Sequence, residues 1–258
     1  MLNSLQSVAI IISIMVGSVA CLWTVHRAWP AEQRRRHNDL IGWQIGVIGT
    51  MYAVIVGFML YAVWTDFEEA DRNAEAEANS LVNIFRLSRG LSGDQRPKIQ
   101  SLAREYTEVM LKEEWPEMRD LRFSEASVRI IEALWTTMAK AEMQNVSEQT
   151  TRDHILSELS AMTQQRRLRQ LQAITGIPGI LWTVLIVGAF ITILSACLFG
   201  NVDFKLHLFQ VLMLSLMLSL ALVAIADISR PFQGFVRVAS SGFERARVTI
   251  ENMDAARR

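Results

Sequence analysis

The sequence predicts an all-α membrane protein in which four transmembrane helices form two hairpins and hold an extramembrane helical domain between the second and third crossings. Three observations predict it. Apolar residues make up 51% of the 258 positions, and they are gathered into blocks too long and too free of charge to be core helices of a water-soluble protein. Between the second and third blocks the apolar residues change to helical spacing. No valine-rich alternating run calls for a sheet.

The first block, Val8 to Val25, carries no charge and ends in Trp23, an aromatic suited to the headgroup layer, followed by His26 and Arg27. No basic leader with a small-residue cleavage site precedes it, so the block reads as an uncleaved anchor. After Trp29-Pro30 and Arg34-Arg35-Arg36-His37, the second block, Ile41 to Trp64, must return through the same membrane. Its Gly42, Gly46, Gly49, Ala53 and Gly57 recur at steps of three and four, a face on which a neighbouring helix can pack closely.

From Asp66 the sequence turns acidic, with no helix breaker between Trp64 and Gly90, so the second span is expected to leave the membrane as one long helix. Leu81, Ile84, Phe85 and Leu87 give it an apolar stripe. A second amphipathic helix is expected from about Pro97 to Trp115, ended by Pro116. A third begins near Ser124 as its cap and carries Val128, Ile131, Leu134, Trp135 and Met138. A fourth runs from about Ser147 to Ile174. Gly176, Pro178 and Gly179 mark re-entry. Ile180 to Phe199 and Leu206 to Ile225 make the second hairpin, and the tail from Asp227 opens on a proline and glycine turn, with a charged end expected to be partly disordered. The expected organisation is a first hairpin over 1–65, a helical domain over 66–179, a second hairpin over 180–226 and a tail over 227–258.

Charge excludes several classes of function. Lys and Arg total 26 against 26 Asp and Glu, and no local basic cluster supports a nucleic-acid partner. His26, His37, His154 and His207 are scattered, Cys21 and Cys197 fall inside apolar blocks, and no phosphate loop is present. Neither an enzyme nor a cofactor nor a metal site is expected. The adjacent carboxylates Glu68-Glu69 and Glu113-Glu114 read as solvated faces, and Asn145-Val146-Ser147 as a sequon without meaning. Polar residues of the spans, Gln44, Tyr52, Tyr61, His207, Gln210, Ser215 and Ser219, include no charge, which disfavours a proton-coupled carrier and leaves passive permeation or a structural role. Ser215 and Ser219 are expected to bond to nearby carbonyls, and His207 to sit at an interface where water satisfies it. Arg27, Arg34, Arg35 and Arg36 crowd the first connection, which is therefore expected in the cytoplasm with the helical domain on the extracytoplasmic side. Arg166, Arg167, Arg169, Arg230 and Arg237 pull the other way.

Several motifs carry a resemblance. Arg36-His37-Asn38-Asp39, Tyr52-Ala53-Val54, Gly57-Phe58 with Trp64, Glu75-Ala76-Glu77-Ala78, Leu87-Ser88-Arg89-Gly90, Glu114-Trp115-Pro116 and Arg230-Pro231-Phe232-Gln233-Gly234 together resemble the bacterial bestrophin-like family. By fold-level analogy to bestrophins, the resemblance implies a multi-pass homo-oligomer of the bacterial cytoplasmic (inner) membrane. Its partners would be the lipid bilayer and inorganic ions, with an axial ion path lined by the second span. The glycine face would pack and the opposite face would line the path. Tyr52, Leu60, Tyr61 and Trp64 are the implied constriction, and Asp66, Glu68 and Glu69 the ion-attracting mouth. An acidic mouth suits cations, whereas many bestrophins conduct anions, so both ion signs stay open. The alternative is a membrane-anchored interaction or sensor protein with no transport activity.

Overall fold

A computed structural model describes residues 4–255, and among these the chain is helical with no strand. Its helices are α1 (Ser4–Ala28), α2 (Ala31–Arg35), α3 (Asn38–Leu87), α4 (Gln95–Val109), α5 (Trp115–Met118), α6 (Glu125–Ala139), α7 (Val146–Ile174), α8 (Gly179–Leu198), α9 (Phe204–Ile228) and α10 (Ser241–Ala255). The chain divides into two compact units. One comprises the chain up to Thr65 with Gly176–Ser229, the other Asp66–Thr175 with the chain from Arg230 onward. The long second helix is present without a break as α3, 50 residues from Asn38 to Leu87.

In the first unit, α1, the apolar part of α3, α8 and α9 are each long and apolar enough to cross a membrane. The helix α1 packs on α8 and α9 around Leu22, Ile193, Cys197 and Val211. A second cluster joins Tyr52 and Val63 of α3 to Leu185, Ala189, Leu222 and Ile225. Polar side chains of these helices mostly turn back on their own backbone: Thr50 Oγ1 donates to Gly46 O, Ser215 Oγ to Val211 O and Ser219 Oγ to Leu216 O. The expectation for Ser215 and Ser219 is met. His207 departs from expectation, being 2% exposed, with Nε2 3.0 Å from Ala196 O.

Arg34 is also wholly buried. Its Nε donates to Trp29 O at 2.9 Å and its Nη1 to Cys197 O at 2.6 Å and Phe199 O at 3.1 Å. A helix leaves its last carbonyls unpaired, and here a remote guanidinium satisfies those at the end of α8. Asn38 completes the join, donating to Gly200 O at 2.9 Å and accepting from Gly200 N at 2.8 Å.

In the second unit the core gathers Leu81, Ile84 and Phe85 of α3, Ile99, Ala103 and Tyr106 of α4, Leu134 and Met138 of α6, Ile155, Leu159 and Met162 of α7, and Phe243 of α10. Ser124 caps α6 by accepting from Ala126 N. Asn145 caps α7, accepting from Glu148 N while Glu148 accepts from Gln144 N, so the apparent sequon is a helix start. The backbone amide of Gln144, then the Ser92 side chain, hold the Glu148 carboxyl below the usual range.

Three expectations fail here. Val128 is exposed, and Ile130 takes its place on the buried face of α6. Pro116 does not end a helix: a π-helical turn over Met110–Glu114 widens the chain ahead of it, and α5 runs on through the proline. The described part of the tail forms the regular helix α10, with Phe243, Ala246 and Ile250 buried in the core, while residues 256–258 of the charged end lie outside the described residues.

Candidate functional site

The second span is the expected location of the site, and its geometry in the first unit follows from helical phase. At 3.6 residues per turn, Gly42, Gly46, Gly49, Ala53 and Gly57 lie within an arc of about 80°. Ile41, Tyr52 and Val63 lie on the adjoining arc, and these are the buried residues of this stretch. The glycine face is not packed within the chain. A Cβ at Gly46, Gly49 or Gly57 would meet nothing within 4 Å, and one at Gly42 only the Phe199 ring at 3.9 Å.

The named constriction residues divide accordingly. Leu60, Tyr61 and Trp64 are exposed, at 38%, 70% and 46%. Leu60 and Trp64 share the glycine arc and Tyr61 borders it. Tyr52 is 5% exposed and its hydroxyl donates to Leu185 O at 2.8 Å, with its ring lying over Gly188, where a Cβ would overlap it. Tyr52 thus packs against α8 within the first unit, and the glycines are not on a face opposed to Leu60 and Trp64. In the second unit, Asp66, Glu68 and Glu69 are all exposed.

That unit also holds a buried ionic centre. Arg169 of α7, wholly inaccessible, donates through Nε to Glu77 Oε2 at 2.7 Å and through Nη2 to Glu77 Oε1 at 3.2 Å and Glu114 Oε1 at 3.0 Å. Tyr106 donates to Glu77 Oε1 at 2.6 Å, and Ser127 to Glu114 Oε2 at 2.6 Å. The guanidinium carbon of Arg169 also lies 5.4 Å from the Trp115 ring centroid. Burial works against the charged form of Glu114, but Arg169, then Arg166 and Ser127, outweigh it and hold its carboxyl below the usual range. Burial, then the Glu77 charge, push the Tyr106 hydroxyl well above its ordinary value. Burial likewise opposes the charge on Arg169, yet Glu77 and Glu114 keep it firmly protonated.

The solvated-face reading of Glu113-Glu114 therefore fails for Glu114, which the π-helical turn presents inward, while Glu113 stays exposed and accepts from Ser124 Oγ at 2.8 Å. The centre has a detectable signal in sequence. Glu77 falls in step with Ala70, Ala74, Leu81 and Ile84, and Arg169 with Ile155, Leu159, Met162 and Ala173. Charges that hold the phase of an apolar stripe are buried with it. Every carboxylate oxygen of the pair is bonded, and Arg169 is enclosed by Met110 and Met118, so the centre is a structural tie with no room for a substrate.

The sequence matches the bestrophin-like domain family over residues 12–243. No curated protein matches the chain. Its fold is similar to that of a bacterial bestrophin homologue from Klebsiella pneumoniae. The similarity to one point mutant of that protein has a TM-score of 0.69 at 14% identity, over 95% of this chain and 99% of the other. A second mutant gives 0.69 at 13% identity over 96% and 98%, and a further structure of the homologue 0.63 at 12% over 96% and 98%.

Proposed function

This chain belongs to the bestrophin-like family, and on that premise we propose that it is an oligomeric ion channel of the bacterial cytoplasmic membrane, with its ion path along α3. In this reading α1 with the apolar part of α3, and α8 with α9, form two membrane hairpins. The observation that carries it is the open face of α3. A helix flanked by α8 and α9 on one arc leaves the glycines and Leu60, Tyr61 and Trp64 uncovered, a surface that several copies of the chain would enclose between them. The glycines let neighbouring backbones approach, and Leu60, Tyr61 and Trp64 form a hydrophobic constriction through which ions pass passively. Tyr52 has no part in it. Asp66, Glu68 and Glu69 supply a ring of negative charge at the mouth and favour cations.

The test is ion flux through protein reconstituted in liposomes under potassium and chloride gradients. Cation-selective flux, weakened by Glu68→Gln with Glu69→Gln, is the expected result. Absence of flux for any ion in folded oligomeric protein would move the reading to a membrane-anchored interaction or sensor protein.

The orientation has a narrower basis. Arg34 has a structural reason for its position whichever side it lies on. Arg27, Arg35, Arg36 and Lys205 near one end are then matched by Arg166, Arg167, Arg230 and Arg237 near the other. Labelling of intact cells by a membrane-impermeant maleimide assigns the side. An extracytoplasmic helical unit requires Glu251→Cys to react and Arg35→Cys to remain protected.

A further inference from the structure

Within the first unit, α1, α8 and α9 leave an apolar groove of about 620 Å³, open along one side. Its walls include Ile10, Ile14 and Gly17 of α1, Trp182 and Ile193 of α8, and Leu222 of α9. The groove is concave: Ile193 and Leu222 are 8% and 9% exposed. The polar group on its floor is already satisfied, Ser18 Oγ donating to Met15 O at 2.7 Å. Both Ile10 and Cys21 line it, which at 1.5 Å per residue gives a length of about 16 Å parallel to α1.

All three helices are of membrane-spanning length and composition, so the medium outside the groove is hydrocarbon. An empty groove would leave both walls without dispersion partners, and an apolar space of this kind does not hold water. The groove also lies away from the face through which α8 meets α3. Leu185 and Gly188 are turned to Tyr52, whereas Ile186, Phe190 and Ile193 are turned to the groove. A chain of single bonds advances about 1.2 Å per bond, from about 3.6 Å for the three bonds of an extended residue, so about thirteen carbons fill the length. That matches most of one fatty-acyl chain.

We propose that this groove is a bound-lipid site holding one acyl chain of a membrane phospholipid along α1, retained when the surrounding lipid is exchanged. The inference stands independently of ion permeation. Gly17 offers the test, because a Cβ there would meet no atom within 4 Å and any larger side chain extends into the open groove. The full chain is reconstituted with palmitoyl-oleoyl phosphatidylglycerol, transferred to a neutral detergent, exchanged exhaustively and examined by native mass spectrometry.

The wild type and Gly17→Ala are expected to retain one phospholipid per subunit, and Gly17→Phe to lose it. Val223→Phe, entering from the α9 wall, is expected to lose it too and guards against a folding defect confined to α1. A wild type that carries no phospholipid, or two Phe variants that retain as much as the wild type, overturns the proposal. So does a retained mass equal to a free fatty acid. A wild type free of lipid, with Phe variants whose subunit count falls, would assign the groove to a second copy of the chain and overturn it equally.

Discussion

Replacing Arg169 by Met tests whether the buried ionic centre governs the stability of the helical unit. Arg169 is the cation between Glu77 and Glu114, with all three side chains inaccessible. Methionine fills much of the same volume among Met110, Met118 and Trp115, so the cavity contribution is small and the loss is electrostatic. Two carboxylates remain buried, with Arg166 at 3.5 Å from Glu114 as their nearest cation. Breaking such a pair from one side costs about 3–5 kcal/mol, which for a chain of this size lowers Tm by about 6–20 °C. Arg104→Met, which breaks the exposed pair with Asp254, is the control and should cost under about 1 kcal/mol. Thermal unfolding of the detergent-solubilised chain by circular dichroism gives both. The pH dependence gives a second readout. Stranded carboxylates have raised pKa values, so in the folded variant they hold more protons than the unfolded chain, and its stability rises as pH falls. Combining Arg169→Met with Glu77→Gln and Glu114→Gln removes the stranded charge and should recover most of the loss. A single variant as stable as Arg104→Met, or a triple variant no better than the single one, would refute the electrostatic account.

Other outcomes follow from the same geometry. Gly188→Ala places a methyl group in the Tyr52 ring, and should destabilise by about 1–3 kcal/mol, measured by thermal unfolding in detergent. Tyr52→Phe removes only the bond to Leu185 O and should cost about 1 kcal/mol, and under the proposed channel reading it leaves ion flux unchanged because Tyr52 is turned to α8. Gly200→Ala drives a methyl group into the Arg34–Arg35 backbone, which cannot rotate away as a side chain would. A loss of about 2 kcal/mol is expected, with Gly200→Ser no better. In the wild type, Glu114 has a depressed pKa, so the unfolded chain binds more protons in the interval between its folded value and about 4.3. Its contribution is complete above that interval and is lost as pH falls through the folded value. A melting temperature that rises on acidification through this range would contradict the assignment.

The spans, the long second helix and the amphipathic helices were legible in the sequence because each rests on a local property: block length, absence of breakers, or spacing of apolar residues. What was not legible depends on partners distant in the chain. Glu77 and Glu114 look like surface charges until Arg169, more than fifty residues beyond Glu114, is brought beside them. Arg34 looks like one of four orientation signals until α8 ends against it. The recognised motifs turn out to be joints. Trp115 and Phe232, from two separate motifs, meet edge to face at 5.8 Å, and Asn38 of another holds Gly200. The apolar residues of the tail are few, which reads as disorder, yet Phe243, Ala246 and Ile250 recur at spacings of three and four and suffice to bury one face of α10. At the candidate constriction the sequence gives residue types but not direction, and one hydroxyl bond separates Tyr52 from the residues that stay open.

The disposition of polar groups in the first unit bears on where ions could travel. Its serines and threonines mostly spend their hydroxyls on carbonyls of their own helices: Ser13 on Ala9, Thr50 on Gly46, Thr183 on Gly179, Thr192 on Gly188 and Ser215 on Val211. A hydroxyl so bonded has its proton committed to its own helix, so these side chains offer no free donor to an ion among the apolar groups of this unit. Polar side chains that do reach between elements of this unit, among them Tyr52, Arg34, Asn38 and His207, close packing contacts instead of lining a space. A permeation route through a single subunit would therefore require stripping an ion among apolar side chains. A route between copies does not, because a ring of α3 helices can keep a wet axis and narrow it only where Leu60, Tyr61 and Trp64 project. Oligomerisation is thus a condition of the proposed transport. Monomeric protein, isolated by size exclusion and reconstituted at less than one copy per liposome, should conduct nothing, while the oligomer conducts; equal flux per chain from both would place the path inside the subunit and overturn the assignment to α3.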